Sequence, residues 1–246
     1  MHSRRRRQDG NAVAHFKQDA AHRDARANEF GFDAVGMTRK LFWEDAYLRE
    51  CDAKAASVDG NRVSLDQTIF FAFSGGQASD AGTINGINVV EAIANENDIA
   101  YVLAEAPSFK QGDSVKVEID WNRRFTLMRL HSAIHVASLF FDEEHSEPKI
   151  IGSNVDPGKA RIDYHYPESV SPLLPALEQK TNSFLAEGHE IKVYAGENNR
   201  RIWECASWKM NCGGTHVKNT GEIGKIKLKR KNTGAGKARI ELTLVD

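Results

Sequence analysis

The chain has 246 residues, 41% hydrophobic and 27% charged, with a formal net charge of −1; it is long enough for one large or two small domains with real cores, and not basic enough to attract nucleic acid by bulk charge. No run of about 18 apolar residues is present and the charged N-terminus lacks a secretory apolar stretch, which excludes a membrane span and makes the cytoplasm the expected compartment. Three cysteines, Cys51, Cys205 and Cys212, cannot form a paired framework, so they read as free thiols or a metal ligand.

Residues 1–36 carry the Arg4–Arg7 run, then mixed charges with Ala, Asn and Gln, and few large apolar side chains before Phe30. Such a segment buries too little to offset its ordering entropy, so it is expected to be disordered; a basic arm for RNA is the alternative, diluted by Asp19, Asp24 and Glu29. Residues 37–118 read as a small antiparallel β-barrel-like domain. Asp59-Gly60 separates Cys51–Val58 from Arg62–Phe71, and Asn85-Gly86 separates Gly82–Ile84 from Ile87–Ile93, both dipeptides suiting the positive φ of tight hairpins.

At Asp120 the period changes. Phe125, Met128, Ala133, Val136, Ala137 and Phe140 recur at helical spacing, which predicts a helix capped by Asp120 and running to about Phe141. Beyond it the sequence predicts a strand at Ala160–Tyr166, a helix from about Pro172 to Ala186 stopped by Gly188, and strands at Glu190–Tyr194, Lys225–Lys231 and Ala238–Val245. The last two strands follow each other directly, so residues 119–246 fit a helix-on-antiparallel-sheet domain and the whole chain an α+β class.

His131 and His135 are four apart on the predicted helix, which puts both imidazoles on one face, one turn apart. Cys212-Gly213-Gly214-Thr215-His216 adds a thiol and a third imidazole on a segment whose paired glycines argue for a tight loop. A soft thiolate with three imidazoles suits zinc better than magnesium, calcium or manganese, with one ion per chain expected.

These motifs carry a resemblance. His131-Ser132-Ala133-Ile134-His135 resembles the His-x-x-x-His of alanyl-tRNA editing domains, and Cys212-Gly213-Gly214-Thr215-His216-Val217 with Asn219-Thr220-Gly221-Glu222-Ile223-Gly224 resembles their Cys-x-x-x-His segment. The likeness extends to Asp120-Trp121-Asn122-Arg123-Arg124, Ala160-Arg161-Ile162-Asp163-Tyr164, Thr68-Ile69-Phe70 and Gly75-Gly76-Gln77-Ala78-Ser79-Asp80. Together they resemble the AlaX family of free-standing alanyl-tRNA editing proteins in its medium form, which carries the β domain with Gly-Gly-Gln, and the editing domain of alanyl-tRNA synthetase. The sequence departs from the family at Phe71-Ala72-Phe73-Ser74 and at Ala78, where proline is common.

The resemblance implies a zinc-dependent aminoacyl-tRNA deacylase acting on tRNA(Ala) mischarged with serine, with glycine as a second candidate. His131, His135, Cys212 and His216 would hold the metal. On the chemistry of ester hydrolysis, Gln77 would orient water or the terminal ribose, and the backbone amides of Gly75 and Gly76 would stabilise an oxyanion. Thr68 stands where the family pattern places a pocket threonine and would read the serine hydroxyl; its alternative is a strand residue with a satisfied hydroxyl. Lys225, Lys227, Lys229 and Lys231 would line one side of a strand, either to meet acceptor-stem phosphates or as a solvated edge. Four protein ligands close a tetrahedron, so two functions remain open: a hydrolase whose zinc activates water or holds substrate, and a catalytically silent tRNA-binding or adaptor protein that keeps zinc for folding.

Overall fold

A computed structural model describes residues 37–245, apart from Glu96, Glu147, Asn198, Asn199, Thr233 and Ala235; the disorder expected for residues 1–36 falls outside them. The first half is a closed barrel of six antiparallel strands. These are β2 (Glu50–Asp59), β3 (Arg62–Leu65), β5 (Gly82–Ile84), β6 (Ile87–Ala94), β7 (Ile99–Leu103) and β8 (Ser114–Ile119), in the order β2-β3-β7-β6-β5-β8. Closure removes the open edges that would otherwise invite pairing with another chain. The long strand β2 pairs with β8 at one end and β3 at the other, its register shifting between Ala55 and Ser57, the kind of bulge that bends a strand around a barrel. Val63, Leu65, Ile84, Ile99, Tyr101, Leu103, Val115 and Val117 fill the interior.

The Asn85-Gly86 hairpin forms as expected, with φ of +51° and +79° matching the turn that follows strand twist. The first hairpin differs from expectation by one residue. Asp59 pairs with Arg62, so the turn is centred on Gly60 (φ +59°) and Asn61, and Asp59 belongs to the strand. The expected strand Arg62–Phe71 is also broken at Asp66. Its carboxylate accepts from the Lys54 backbone N–H at 2.7 Å, and the chain then turns so that β4 (Gln67–Thr68) pairs in parallel with β1 (Arg39–Lys40).

The second half is a helix-on-sheet body, in agreement with the expected α+β class. Helix α1 (Trp121–Glu144) starts where Asp120 accepts a hydrogen bond from the Arg123 backbone N–H at 3.1 Å. Its middle turns are buried on nearly every side, as befits a helix enclosed by its neighbours. It packs with α2 (Leu174–Ala186) against an antiparallel sheet ordered β14 (Lys225–Lys231), β15 (Lys237–Val245), β10 (Lys159–His165), β9 (Ile150–Asp156). Alternate residues Ala160, Ile162, Tyr164 and Ala238, Ile240, Leu242 face that core. A second sheet, β11 (Ile191–Ala195), β12 (Arg201–Cys205) and β13 (Trp208–Asn211), leads into the Cys212 loop, whose Cys212 N–H donates to Arg201 O at 2.9 Å. Sequence patterning did not reveal β9, β12 or β13. Among the described residues no helix is long and apolar enough to cross a membrane.

Two devices join the halves. Arg124 of α1, with no exposed side-chain surface, donates from Nε to Asp80 Oδ1 at 2.8 Å, from Nη2 to Asp80 Oδ2 and Ile69 O, and from Nη1 to Ala46 O. The N-terminal strap reaches across as well: Trp43 Nε1 donates to Gly213 O at 2.9 Å, Tyr47 Oη to Glu222 Oε2 at 2.7 Å, and Arg201 Nη2 to Trp43 O at 2.6 Å.

Candidate metal centre

His131 and His135 project from the same face of α1 and meet Cys212 and His216 from the loop after β13. The four are only 5%, 7%, 7% and 3% exposed, so the cluster is nearly sealed. Cys212 Sγ lies 3.5 Å from His131 Nε2, 3.3 Å from His135 Nε2 and 3.2 Å from His216 Nε2. All four ligand atoms lie within 4.8 Å of one another and could hold a metal ion. A tetrahedral zinc shell, about 2.3 Å to sulfur and roughly 2.0 Å to nitrogen, sets its ligand atoms roughly 3.3–3.6 Å apart. The sulfur-to-nitrogen distances, 3.2–3.5 Å, lie close to that spacing.

The electrostatics fit a cation. Burial pushes the pKa of His135 down to about 4, and burial reinforced by the neighbouring imidazoles holds those of His131 and His216 well below the ordinary value. All three rings are therefore neutral near pH 7, with lone pairs to offer. Burial pushes the Cys212 thiol up to about 12, partly offset by a hydrogen bond from the Gly214 backbone. A thiolate here is costly until a positive charge arrives, so metal uptake would release its proton.

Two polar side chains grip the outer edges of the rings. His131 Nδ1 lies 2.7 Å from Gln77 Oε1, and His216 Nδ1 lies 3.1 Å from Ser132 Oγ, which also accepts from the Val217 backbone N–H at 3.3 Å. Gln77 is fully buried; its Oε1 also accepts from Thr215 N at 3.0 Å while its Nε2 donates to Thr215 Oγ1 at 2.8 Å. Both lone pairs of the amide oxygen are thus used by the protein, while Nε2 has a second hydrogen beyond the one given to Thr215. The hydrogen bonds that seat the Gly75-Gly76 loop run to β9: Val155 N–H donates to Gly76 O at 2.7 Å, and Ala78 N–H to Val155 O at 2.9 Å. It is through the Gln77 side chain that this loop reaches the cluster.

Thr68 makes its hydrogen bonds to Tyr101 and Phe70. It lies in β4 with no exposed surface, and its hydroxyl accepts from Tyr101 Oη at 2.7 Å and from the Phe70 backbone N–H at 3.0 Å. Both contacts use the hydroxyl as an acceptor. Lys225, Lys227, Lys229 and Lys231 are exposed on β14, an edge strand, but Lys227 Nζ pairs with Glu178 Oε1 at 3.1 Å, so the row is not uniformly available. Sequence reading missed the cavity beside the metal cluster, about 290 Å³, walled by Trp43, Asp45, Tyr47, Ile191, Gly214 and His216. Its walls come from three distant segments, and no local motif announces them.

With this geometry in place, similarity to known proteins becomes informative. Residues 1–123 match the model of a family described as tRNA synthetases class II (A), and residues 196–241 match that of the threonyl and alanyl tRNA synthetase second additional domain. The chain is 39% identical to the alanyl-tRNA editing protein AlaX-M of Pyrococcus horikoshii, over 85% of this chain and 99% of the relative. It is 31% identical to the AlaX-M protein of Methanosarcina mazei, over 85% and 98% respectively. It is also 30% identical to the alanine–tRNA ligase of Sulfurisphaera tokodaii, over 88% of this chain but 28% of that larger protein. The chain therefore belongs to the AlaX family of alanyl-tRNA editing proteins.

Proposed function

We propose that the chain is a trans-editing hydrolase that cleaves the ester joining a wrong amino acid to tRNA(Ala), serine first and glycine as the second candidate, with one zinc ion at His131, His135, Cys212 and His216. The observation that carries this reading is the buried cluster of three imidazoles and a thiol in a chain similar to alanyl-tRNA editing proteins along most of its length. That donor set suits zinc. When bound, the ion would supply Lewis-acid chemistry, polarising the ester carbonyl or lowering the pKa of water. The chain's own residues bind and exclude. The cavity walled by Trp43, Tyr47, Ile191 and His216 is placed to take the aminoacyl end and shield it from bulk water, and the exposed Lys225, Lys229 and Lys231 offer cations to acceptor-stem phosphates.

One observation favours the second reading, a catalytically silent zinc-containing tRNA-binding or adaptor protein: four protein ligands gathered at one point are the usual mark of a structural ion. Incubation with seryl-tRNA(Ala) separates the two. The hydrolase reading expects serine to be released by the wild-type protein and not by Cys212→Ala, with free seryl esters left intact. Metal-loaded protein that binds the tRNA yet leaves the ester whole would establish the silent reading instead.

A further inference from the structure

We propose that Gln77 is a positioning residue: from the barrel side it fixes His131 with its proton on Nδ1 and its Nε2 lone pair toward Cys212, so that one ligand is aimed before any ion binds. This rests on the reading of the cluster as a cation site.

The orientation of the Gln77 amide follows from its neighbours. The Thr215 backbone N–H can only donate, so the Gln77 atom 3.0 Å from it must be the oxygen. The other end, 2.8 Å from Thr215 Oγ1, is then the NH₂ group. His131 Nδ1 lies 2.7 Å from that same oxygen and can approach it only as a donor. A neutral imidazole with its hydrogen on Nδ1 bears its lone pair on Nε2, the atom 3.5 Å from Cys212 Sγ. A chain of obligate donors and acceptors thus runs from a backbone amide to the ligand face of the cluster. Nothing in that chain titrates near neutrality.

The glycines around it make sense only in these terms. A Cβ on Gly214 would lie 2.6 Å from both Gln77 Oε1 and His131 Nδ1, so the Gln77–His131 hydrogen bond occupies the space a side chain would need. Gly76, at φ +84°, would place a Cβ 2.7 Å from Ser153 O; its absence lets the loop lie against β9 and deliver Gln77 fully buried. In such a dry setting the hydrogen bond holds the ring firmly, and outer partners of this kind typically govern metal affinity by 10- to 100-fold.

The test compares Gln77→Met, which keeps length but removes the acceptor, with Gln77→Glu, which keeps an oxygen for both His131 and Thr215. Zinc affinity is read by competition with a chromophoric chelator, and ligand geometry by the absorption bands of the cobalt(II)-substituted protein. Gln77→Met should lose about 10- to 100-fold in zinc affinity and shift the cobalt bands, while Gln77→Glu stays within a few-fold of wild type. If Gln77→Met melts lower but binds zinc as wild type does, with unchanged cobalt bands, Gln77 is only a loop staple and the proposal falls. Should the methionine variant not fold, two-bond proton–nitrogen correlations on ¹⁵N-labelled, metal-free wild type decide: an Nδ1–H tautomer at His131 supports the proposal and an Nε2–H tautomer overturns it. A wild-type protein that takes up neither zinc nor cobalt removes the cation reading itself, an outcome distinct from a wild type that binds and a variant that binds equally well.

Discussion

The Arg124–Asp80 clamp and the cluster of His131, His135, Cys212 and His216 each draw residues from helix α1 and are comparably buried, yet they differ in one respect that separates structure from function. The clamp is complete. Arg124 spends its donors on Asp80, Ile69 O and Ala46 O, and Asp80 also accepts from the Phe71 backbone N–H at 2.7 Å. Its positive and negative charges cancel inside the protein. In the metal cluster three neutral rings and a protonated thiol crowd together, with no positive charge among them. At the clamp the protein supplies both charges, whereas the cluster gathers metal-binding donors and no cationic side chain.

The largest expected effect tests the clamp. Arg124→Met strands a buried carboxylate and should cost about 3–5 kcal/mol in chemical denaturation, whereas Arg124→Met with Asp80→Leu, which removes both charges, should cost clearly less. Equal losses in the single and double variants would mean that packing, not charge compensation, is what the pair provides.

Next in size is the response of the cluster to its ion and to protons. Zinc at about a thousand times its dissociation constant should stabilise the fold by about 4 kcal/mol, read as a rise in melting temperature that a chelator reverses. Stripped of metal, the protein should draw little pH dependence from these histidines well above 6.5, where they are mostly neutral whether folded or unfolded. Below that value the unfolded chain takes up protons first, because burial depresses the native histidines, His135 to about 4. Stability should therefore fall from pH 6.5 toward 4, and a flat melting profile over that window would place the imidazoles in water rather than in a dry cluster.

The smallest effect returns to the barrel. Thr68→Val leaves Tyr101 Oη without its acceptor, so it should cost about 1–3 kcal/mol of stability while zinc content and the preference for seryl over alanyl ester stay as they were. A loss of that preference without a loss of stability would bring Thr68 back to the substrate.

Much of this contrast was legible in the sequence wherever local rules suffice. Asp120 as a cap, the helical spacing that places His131 and His135 together, and the Asn85-Gly86 turn are decided by a few neighbouring residues. Cys212 and His216 were legible because chemistry, not packing, demands that pairing of residue types. What escaped was non-local. Strand β9 reads Ile-Ile-Gly-Ser-Asn-Val-Asp, with glycine, serine and asparagine that give no strand alternation, and it is a strand because β10 pairs with it. The burial of Gln77 was not legible because the residues it bonds, His131 and Thr215, lie 54 and 138 positions away in the chain. Nothing local marks Arg124 as buried, since Asp80, which faces it, lies 44 positions away.

The account stands or falls on whether the His131, His135, Cys212 and His216 cluster binds zinc. Metal analysis of protein purified without added metal or chelator should find about one zinc per chain, lost together with deacylation of seryl-tRNA(Ala) in Cys212→Ala. Protein that carries no metal and still removes serine at the full rate would contradict it.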